Sequence, residues 1–290
     1  MKIVTRNVNG IRAVAEKWFA DRVRAEDADI ICLQEPKAFA SQIPSSLDPL
    51  WIDYGYVRHE GTRPWYAGTA IVYKKSTIPT PSCDAGESCS PGTASLFAQW
   101  WSAADTSVSD LHTFPRYQQL IDDGRMTDII IGDVCLINCY FPNGNPRADG
   151  REMLDYKLSY YDALAGYVQW CKDRDYKVIV TGDFNICHRP IDIARPKENE
   201  NSIGFLPIER AKIGWLMDEC HLVDAFRHCY PDRTDAYTRW SYRAGARPRN
   251  VWRRLDYMMV DARLIDRITT CEHADTVMGS DHCPVRLILW

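Results

Sequence analysis

No stretch of this 290-residue chain approaches the ~20 uninterrupted apolar residues that a membrane-spanning helix needs. Nor does it open on a leader with a basic end and an apolar centre, so a cytoplasmic protein is expected. Paired Cys-x-x-Cys clusters are missing although eleven cysteines are present, which removes the usual signature of a structural zinc site. The cysteine count is odd, and Cys32, Cys135, Cys139 and Cys283 lie in or beside apolar runs, where a thiol behaves as a small hydrophobe. Cys83 and Cys89, in a predicted loop, are the one pair to test for a disulfide. Gly-x-Ser-x-Gly and Walker-type loops are absent too, so the common serine-hydrolase and nucleotide-binding signatures do not compete. A large positive charge is also lacking, the formal net charge being −4. That balance is uneven. Between Ala225 and Arg263 there are nine arginines, no lysine and four aspartates, a local +5 against an acidic remainder. Such a division suits a protein that holds phosphates on one surface with a divalent metal nearby.

What is present reads as a soluble globular enzyme, with 46% hydrophobic and 26% charged residues. Apolar, β-rich runs recur between turn residues: 2–5, 30–33, 69–73, 134–140, 178–180, 255–260 and 285–289. Helical spacing appears from Ile11 to about Ala25, from Arg151 to Arg174, and after Pro207, where proline suits a first helical turn. Strands mixed with helices give an α/β or α+β class, read as one domain over residues 1–290. The exception to the compact pattern is Ser82–Gly124, rich in Ser, Asp, Gly and Thr, which is read as an inserted loop holding a short helix over Ala94–Ala104.

Six short motifs stand out, four of them closing a predicted strand: Asn7-Val8-Asn9-Gly10, Leu33-Gln34-Glu35-Pro36-Lys37, Tyr140-Phe141-Pro142-Asn143-Gly144, Gly182-Asp183-Phe184-Asn185, Arg254-Leu255-Asp256 and Gly279-Ser280-Asp281-His282. Each is weak alone, since an Asp after a strand is often a loop starter and Asn a turn residue. Together, acids and amides at strand ends can converge on one sheet edge, where loops supply a site and the scaffold fixes it. Hard oxygen ligands such as Glu35 and Asp281 suit Mg²⁺ or Mn²⁺. His282 is suited to hydrogen-bond a phosphate once an acid such as Asp256 orients it. From the residues alone, Asp183 and Tyr140 are equal candidates for general acid or base.

The six motifs, with Asp192-Ile193-Ala194-Arg195-Pro196-Lys197, Gly204-Phe205-Leu206-Pro207 and Trp240-Ser241-Tyr242-Arg243, resemble the exonuclease III family of apurinic/apyrimidinic endonucleases, within the endonuclease/exonuclease/phosphatase group. The resemblance spans the chain outside Ser82–Gly124. It implies a four-layer α/β sandwich, two packed mixed β-sheets flanked by helices (DNase I-like). It also implies Mg²⁺-dependent cutting of double-stranded DNA 5′ to abasic sites, with 3′–5′ exonuclease and 3′-phosphodiesterase activity on blocked ends, by a monomer. By position, Glu35, Asp281 and Asn7 resemble metal ligands. Asp183 resembles the residue that activates water, Asn185 the amide beside it, and Tyr140 and His282 phosphate contacts, with Asp256 orienting His282. Substrate contacts are expected at Asn9, Lys37, Asn143, Trp240, Trp252, Arg239 and Arg253. Arg239 and Arg253 occupy positions where the family's pattern leads one to expect aromatic walls for a flipped-out sugar. Two alternatives are a phosphodiesterase or phosphatase of the same fold with a non-DNA substrate, and a non-catalytic DNA-binding relative.

Overall fold

The computed structural model describes residues 1–63, 65–78, 122–146, 153–242 and 245–290. Cys83, Cys89, the Ala94–Ala104 helix and all but the last three residues of the Ser82–Gly124 region lie outside them.

Two mixed sheets form among the described residues. In the first, β1 (Lys2–Asn7) runs parallel to β2 (Ile30–Gln34) and antiparallel to β11 (Val285–Leu289). β4 (Thr69–Lys74), β3 (Tyr54–His59) and β10 (Ile268–His273) complete the order β10-β11-β1-β2-β4-β3. The second has the order β5-β6-β7-β9-β8, made from Met126–Ile131, Val134–Tyr140, Lys177–Asp183, Asp256–Asp261 and Leu222–Asp224 in spatial sequence.

The strands are apolar on both sides because both sides are covered. Ile3, Ile30 and Ile71 of the first sheet meet Leu136, Ile179 and Met258 of the second in a shared core. The alternate residues turn outward. Val4, Ile31 and Val72 pack on Val14, Phe19 and Val23, while Cys135, Ile137 and Val178 pack on Tyr161, Leu164 and Val168. Helix, sheet, sheet and helix make the four layers expected from the sequence. The nine described cysteines are all unbridged and eight are buried, as their apolar settings implied. No helix among the described residues is long and apolar enough to cross a membrane.

The segment Ile11–Glu26 is helical throughout but holds a π-helical turn at Ala15–Phe19, a widening seen often beside functional sites. The helix Leu154–Lys172 buries a tyrosine-rich face of Tyr156, Tyr160, Tyr161 and Tyr167. The helix Pro207–Glu219 starts as its proline predicts, and Glu209 accepts hydrogen bonds from the backbone N–H of Gly204 and Leu206 at its mouth.

Polar contacts between the sheets fix their relative position near the strand ends. Gln34 donates to Thr5 of its own sheet (2.8 Å) and across to Asn138 (2.6 Å), and Asn138 donates back to the carbonyls of Leu33 and Ala70 (2.9 Å each). The cross-sheet donor contacts of these buried amides form only at one register, so they set where Glu35 lies relative to Tyr140.

Candidate active site

Sheet register brings three of the motifs together. Tyr140 at the end of β6 is the partner of Asp183 at the end of β7, and Asp183 is the partner of Asp256 at the start of β9. β6 and β7 can pair closely here because Gly182 has no side chain; a Cβ on it would lie 1.9 Å from the Cys139 carbonyl oxygen. The first sheet supplies the rest. Asn7 ends β1 beside Gln34, and Glu35 follows at once. Ser280 donates to the Asn7 carbonyl (2.8 Å), which holds the Asp281-His282 loop against the same edge.

Four of these loop residues, Asn9, Glu35, Lys37 and Asn185, have left-handed backbone with φ between 49° and 54°. That conformation is uncommon for Glu and Lys and is held by surrounding bonds, such as Glu35 N–H to Gly68 (3.1 Å) and Gly10 N–H to Glu35 (2.8 Å).

The side chains converge. The Asn7 amide nitrogen donates to Glu35 Oε1 (2.8 Å) and to Asp183 Oδ2 (3.0 Å). His282 Nδ1 donates to Asp256 Oδ2 (2.8 Å), and its Nε2 lies 3.8 Å from Asp183 Oδ2. Asn185 donates from its backbone to Asp183 Oδ1 (3.0 Å) and from its side chain to the Phe141 carbonyl (2.8 Å), which leaves its amide oxygen for a ligand. The Tyr140 hydroxyl donates to Glu35, and the Arg125 guanidinium stacks 4.8 Å from the Tyr140 ring. Lys37 donates to Asn9 Oδ1 (2.7 Å) and pairs with Glu35 Oε2 (2.5 Å), while Asn9 donates to Asp281 Oδ1 (3.1 Å).

Burial and neighbouring charge divide the titratable groups. Burial pushes Asp183 up, and Asp256 and Glu35 add to the push against the opposing His282, to about 7. Burial disfavours the charged form of His282, but Asp256 and then Asp183 outweigh it and raise the imidazole to about 9. Burial works against the Glu35 carboxylate too, yet Lys37 and the Asn7 amide hold it below its ordinary value. Asp281 is likewise held down, His282 and Arg239 overcoming its burial. Tyr140 is driven well above the usual phenol value by burial and by the Glu35 charge, so its hydroxyl holds its proton.

Other expected residues are distributed unevenly. Asn7 turns its nitrogen to the two carboxylates, and its oxygen accepts from the Asn9 backbone (3.0 Å). Asn143 is exposed on the loop after β6. Arg239 reaches Asp281 Oδ2 from Nε (3.3 Å), and Arg253 donates to the Ile203 carbonyl (2.7 Å). Trp240 corrects its expectation as a substrate contact. It is 3% exposed, packs with Tyr237, Ala246 and Cys283, and donates its indole N–H to Asn250 (3.0 Å), because its backbone pairing with Asp281 turns the ring inward.

Neither Lys157 nor Glu209 is assigned a role from the sequence, although Glu209-Arg210 belongs to the stretch that resembles the family. Both are fully buried, and Lys157 donates to Glu209 (2.6 Å) and to the carbonyls of Asn143 (3.1 Å) and Asn185 (2.8 Å), beneath the two loops that carry site residues. A lysine in a run of helical aromatics is a signal only once its burial is known.

Among the described residues, two places could hold a cation. Ligand-type atoms of Asp183, Asp256 and His282 lie within 4.8 Å of one another, but the imidazole is already hydrogen-bonded to Asp256 and stands 3.8 Å from Asp183, which suits proton transfer better than metal binding. Glu35, Asn9 and Asp281 instead present oxygen atoms, and the Lys37 ammonium already bridges Glu35 and Asn9. Oxygen donors around a resident positive charge fit a hard divalent ion.

The model of the endonuclease/exonuclease/phosphatase family matches residues 5–282. An exodeoxyribonuclease of Bacillus subtilis (strain 168) is 34% identical over 290 residues, covering all of this chain and 99% of its own. A DNA-(apurinic or apyrimidinic site) endonuclease of Dictyostelium discoideum is 31% identical, over the whole chain and 70% of that protein. Among solved structures, the AP endonuclease LMAP of Leishmania major superposes with a TM-score of 0.78 at 27% identity, covering 99% of this chain and 87% of that one.

Proposed function

This chain belongs to the endonuclease/exonuclease/phosphatase family, in its exonuclease III branch, and from that premise we propose that it is a DNA-repair nuclease cutting the duplex backbone 5′ to abasic sites. We further assign it 3′–5′ exonuclease and 3′-phosphodiesterase activity, all of which break the same P–O3′ bond. The observation that carries this reading is the convergence of Asp183, Asn185, Asp256 and His282 with Glu35 and Asn7 at one end of the paired sheets.

In this reading Asp183 accepts a proton from the attacking water. Its raised value lets it take that proton near neutral pH without being fully protonated beforehand. The free amide oxygen of Asn185 accepts the other water hydrogen and aims the lone pair at phosphorus. His282, kept charged by Asp256, donates from Nε2 to a non-bridging phosphate oxygen, where preorganised donors lower the barrier as charge develops. Tyr140 donates from its hydroxyl to the same group. Glu35 and Asp281, with Asn7 and Asn9 beside them, would hold the divalent cation, Mg²⁺ or Mn²⁺. When bound, that ion neutralises charge on the phosphate and the departing oxygen.

The test is Mg²⁺-dependent nicking of a duplex containing one abasic analogue. Asp183→Asn and His282→Ala should each lower kcat by about 10²–10⁴-fold. Variants that cut as well as the parent protein would remove the assignment. Turnover of a lipid headgroup with none on DNA would favour the non-DNA alternative.

A further inference from the structure

Behind the loop that carries Glu35, the outer face of the first sheet and its covering layer enclose a cavity of about 500 Å³. Its floor includes Leu33 of β2 and Ala70 of β4. Its walls include Ile11 and Phe19 of the first helical segment, and Leu47 and Trp51 of the stretch that follows Pro36. The sequence accounts for the space. Ala70 is paired between Leu33 and Arg58 and offers only a methyl group where its neighbours carry longer chains. Ala38 does the same from the covering side. That side is built from short 3₁₀ turns, Ala40–Gln42 and Ser45–Ile52, and Phe19 closes the π-helical turn. Both walls are therefore irregular where they face the sheet.

The cavity is apolar within and paired at its rim. Ile11, Phe19, Leu33 and Leu47 are all buried. Arg58 pairs with Glu60 (3.2 Å), which also accepts from the Ala40 backbone (2.7 Å). His59 Nδ1 donates to the Met126 carbonyl (2.9 Å), and burial holds its imidazole below the ordinary value. A charged guest would lose its water and find these counter-charges already engaged, whereas a neutral guest only buries apolar surface. The size and the lining match sites for small organic molecules, which span ~300–1,000 Å³ and are mostly apolar. Phe19 lies inside, and half-buried Trp51 is tilted against Tyr56 with ring centres 4.7 Å apart. Ring faces and edges in those positions favour a flat aromatic guest over an alkyl chain.

We propose that this cavity binds a small neutral aromatic molecule, mono- or bicyclic, and that a bound molecule shifts the Glu35–Lys37 loop. Its consequence for cleavage rests on the nuclease reading above. Pro36 is the link. It lines the cavity and stands between Glu35 and Lys37, whose backbones are left-handed at φ 54° and 50°. Ile11 N–H donates to the Pro36 carbonyl (2.9 Å), and Lys37 N–H to the Ala67 carbonyl (3.1 Å). Ile11 is itself a wall, so a guest presses on both ends of the first of these bonds. Backbone held in an uncommon region absorbs little displacement, and Glu35 moves with its neighbour.

The test uses the full chain, with indole as the neutral probe and indole-3-acetate as its charged counterpart. Indole should raise Tm and bind with a Kd of about 0.1–1 mM, the range for a ligand of its size. Indole-3-acetate should bind at least about 10-fold more weakly. By NMR the amides of Glu35 and Lys37 should shift as indole is added. At saturation, cleavage of an abasic-analogue duplex should slow by about 5-fold or more. Ala70→Leu fills the cavity from the floor and Ala38→Leu from the covering side, so each should weaken indole binding by about 10-fold or more and blunt both effects. No binding of indole, binding retained in both filled variants, or equal binding of the charged probe would overturn the site. Binding that leaves the Glu35 and Lys37 amides unmoved would overturn the link to the loop. If indole moves those amides while the parent protein cuts no DNA, the nuclease reading fails and the site stands.

Discussion

Replacing Lys157 by methionine keeps the length and volume of the side chain while removing one positive charge and three hydrogen bonds. Two of the bonds tie the loops of Asn143 and Asn185 to the helix Leu154–Lys172, and the third pairs with Glu209. Burial already pulls the Lys157 ammonium below its ordinary value, with Glu209 opposing, so the pair stands only as a pair. Removing one member of a fully buried ion pair costs about 3–5 kcal/mol, because the remaining charge has no partner. At about 2–4 °C per kcal/mol for a domain of this size, Tm should fall by roughly 6–20 °C. Glu209→Gln keeps an acceptor for Gly204 and Leu206 and removes the stranded charge. In a double-mutant cycle the two changes should couple by about 2–3 kcal/mol, with Lys157→Met/Glu209→Gln well above the sum of the single effects. The assay is urea and thermal unfolding by circular dichroism, joined to single-turnover cleavage at 25 °C. Cleavage by the still-folded single variant should drop about 10-fold or more, since Asn185 loses the tether that sets its left-handed backbone. A stability change below about 1 kcal/mol, or a coupling energy near zero, would refute the tether.

Three further outcomes follow from the same structure. The pH profile of kcat/KM should be a bell: activity rises as Asp183 gives up its proton near about 7 and falls as His282 loses its own near about 9, and His282→Ala should abolish the alkaline limb. Gly182→Ala should yield little folded protein in expression and unfolding assays, because its Cβ would meet Cys139 backbone at 1.9 Å between paired strands. Asp192→Asn should destabilise at pH 7 by about 3–5 kcal/mol in urea titrations, since Asp192 is fully buried against Arg254 and Arg227. Burial opposes the Asp192 carboxylate, but those arginines hold it far below its ordinary value. Its contribution is therefore complete above the unfolded value and declines as acid takes the pH below about 4, where the penalty of the variant should shrink.

The parts of the fold legible in the sequence are those buried on both faces. β6 and β11 match their apolar runs to the residue, and β1, β2, β4, β7 and β9 differ only at their ends, where the polar motif residues continue the ladder. The strands missed are edge strands or short ones. β3 and β10 expose much of one face and so lack a continuous hydrophobic signal, β8 has three residues, and β5 begins just beyond the polar Ser82–Gly124 region. The reacting groups were legible because each ends a strand or begins a loop with an unusual concentration of acids and amides. Their supports were not. Lys157, Glu209 and the Arg254–Asp192–Asp224 cluster are charged residues that a sequence places on the surface and the fold places inside, each paired with a partner at least 30 positions away. Trp240 erred in the opposite direction. It adjoins the site in sequence, but its ring is spent on packing.

Whether a water molecule held at Asp183 attacks phosphorus and releases the 3′-oxygen is decided by cleaving an abasic-analogue duplex in ¹⁸O-water with Mg²⁺ under single-turnover conditions. One ¹⁸O is expected in the new 5′-phosphate, with an unlabelled 3′-hydroxyl, and Asp183→Asn should lose this labelled product. An unlabelled phosphate, a 3′-phosphate product, or equal labelling by Asp183→Asn would contradict it.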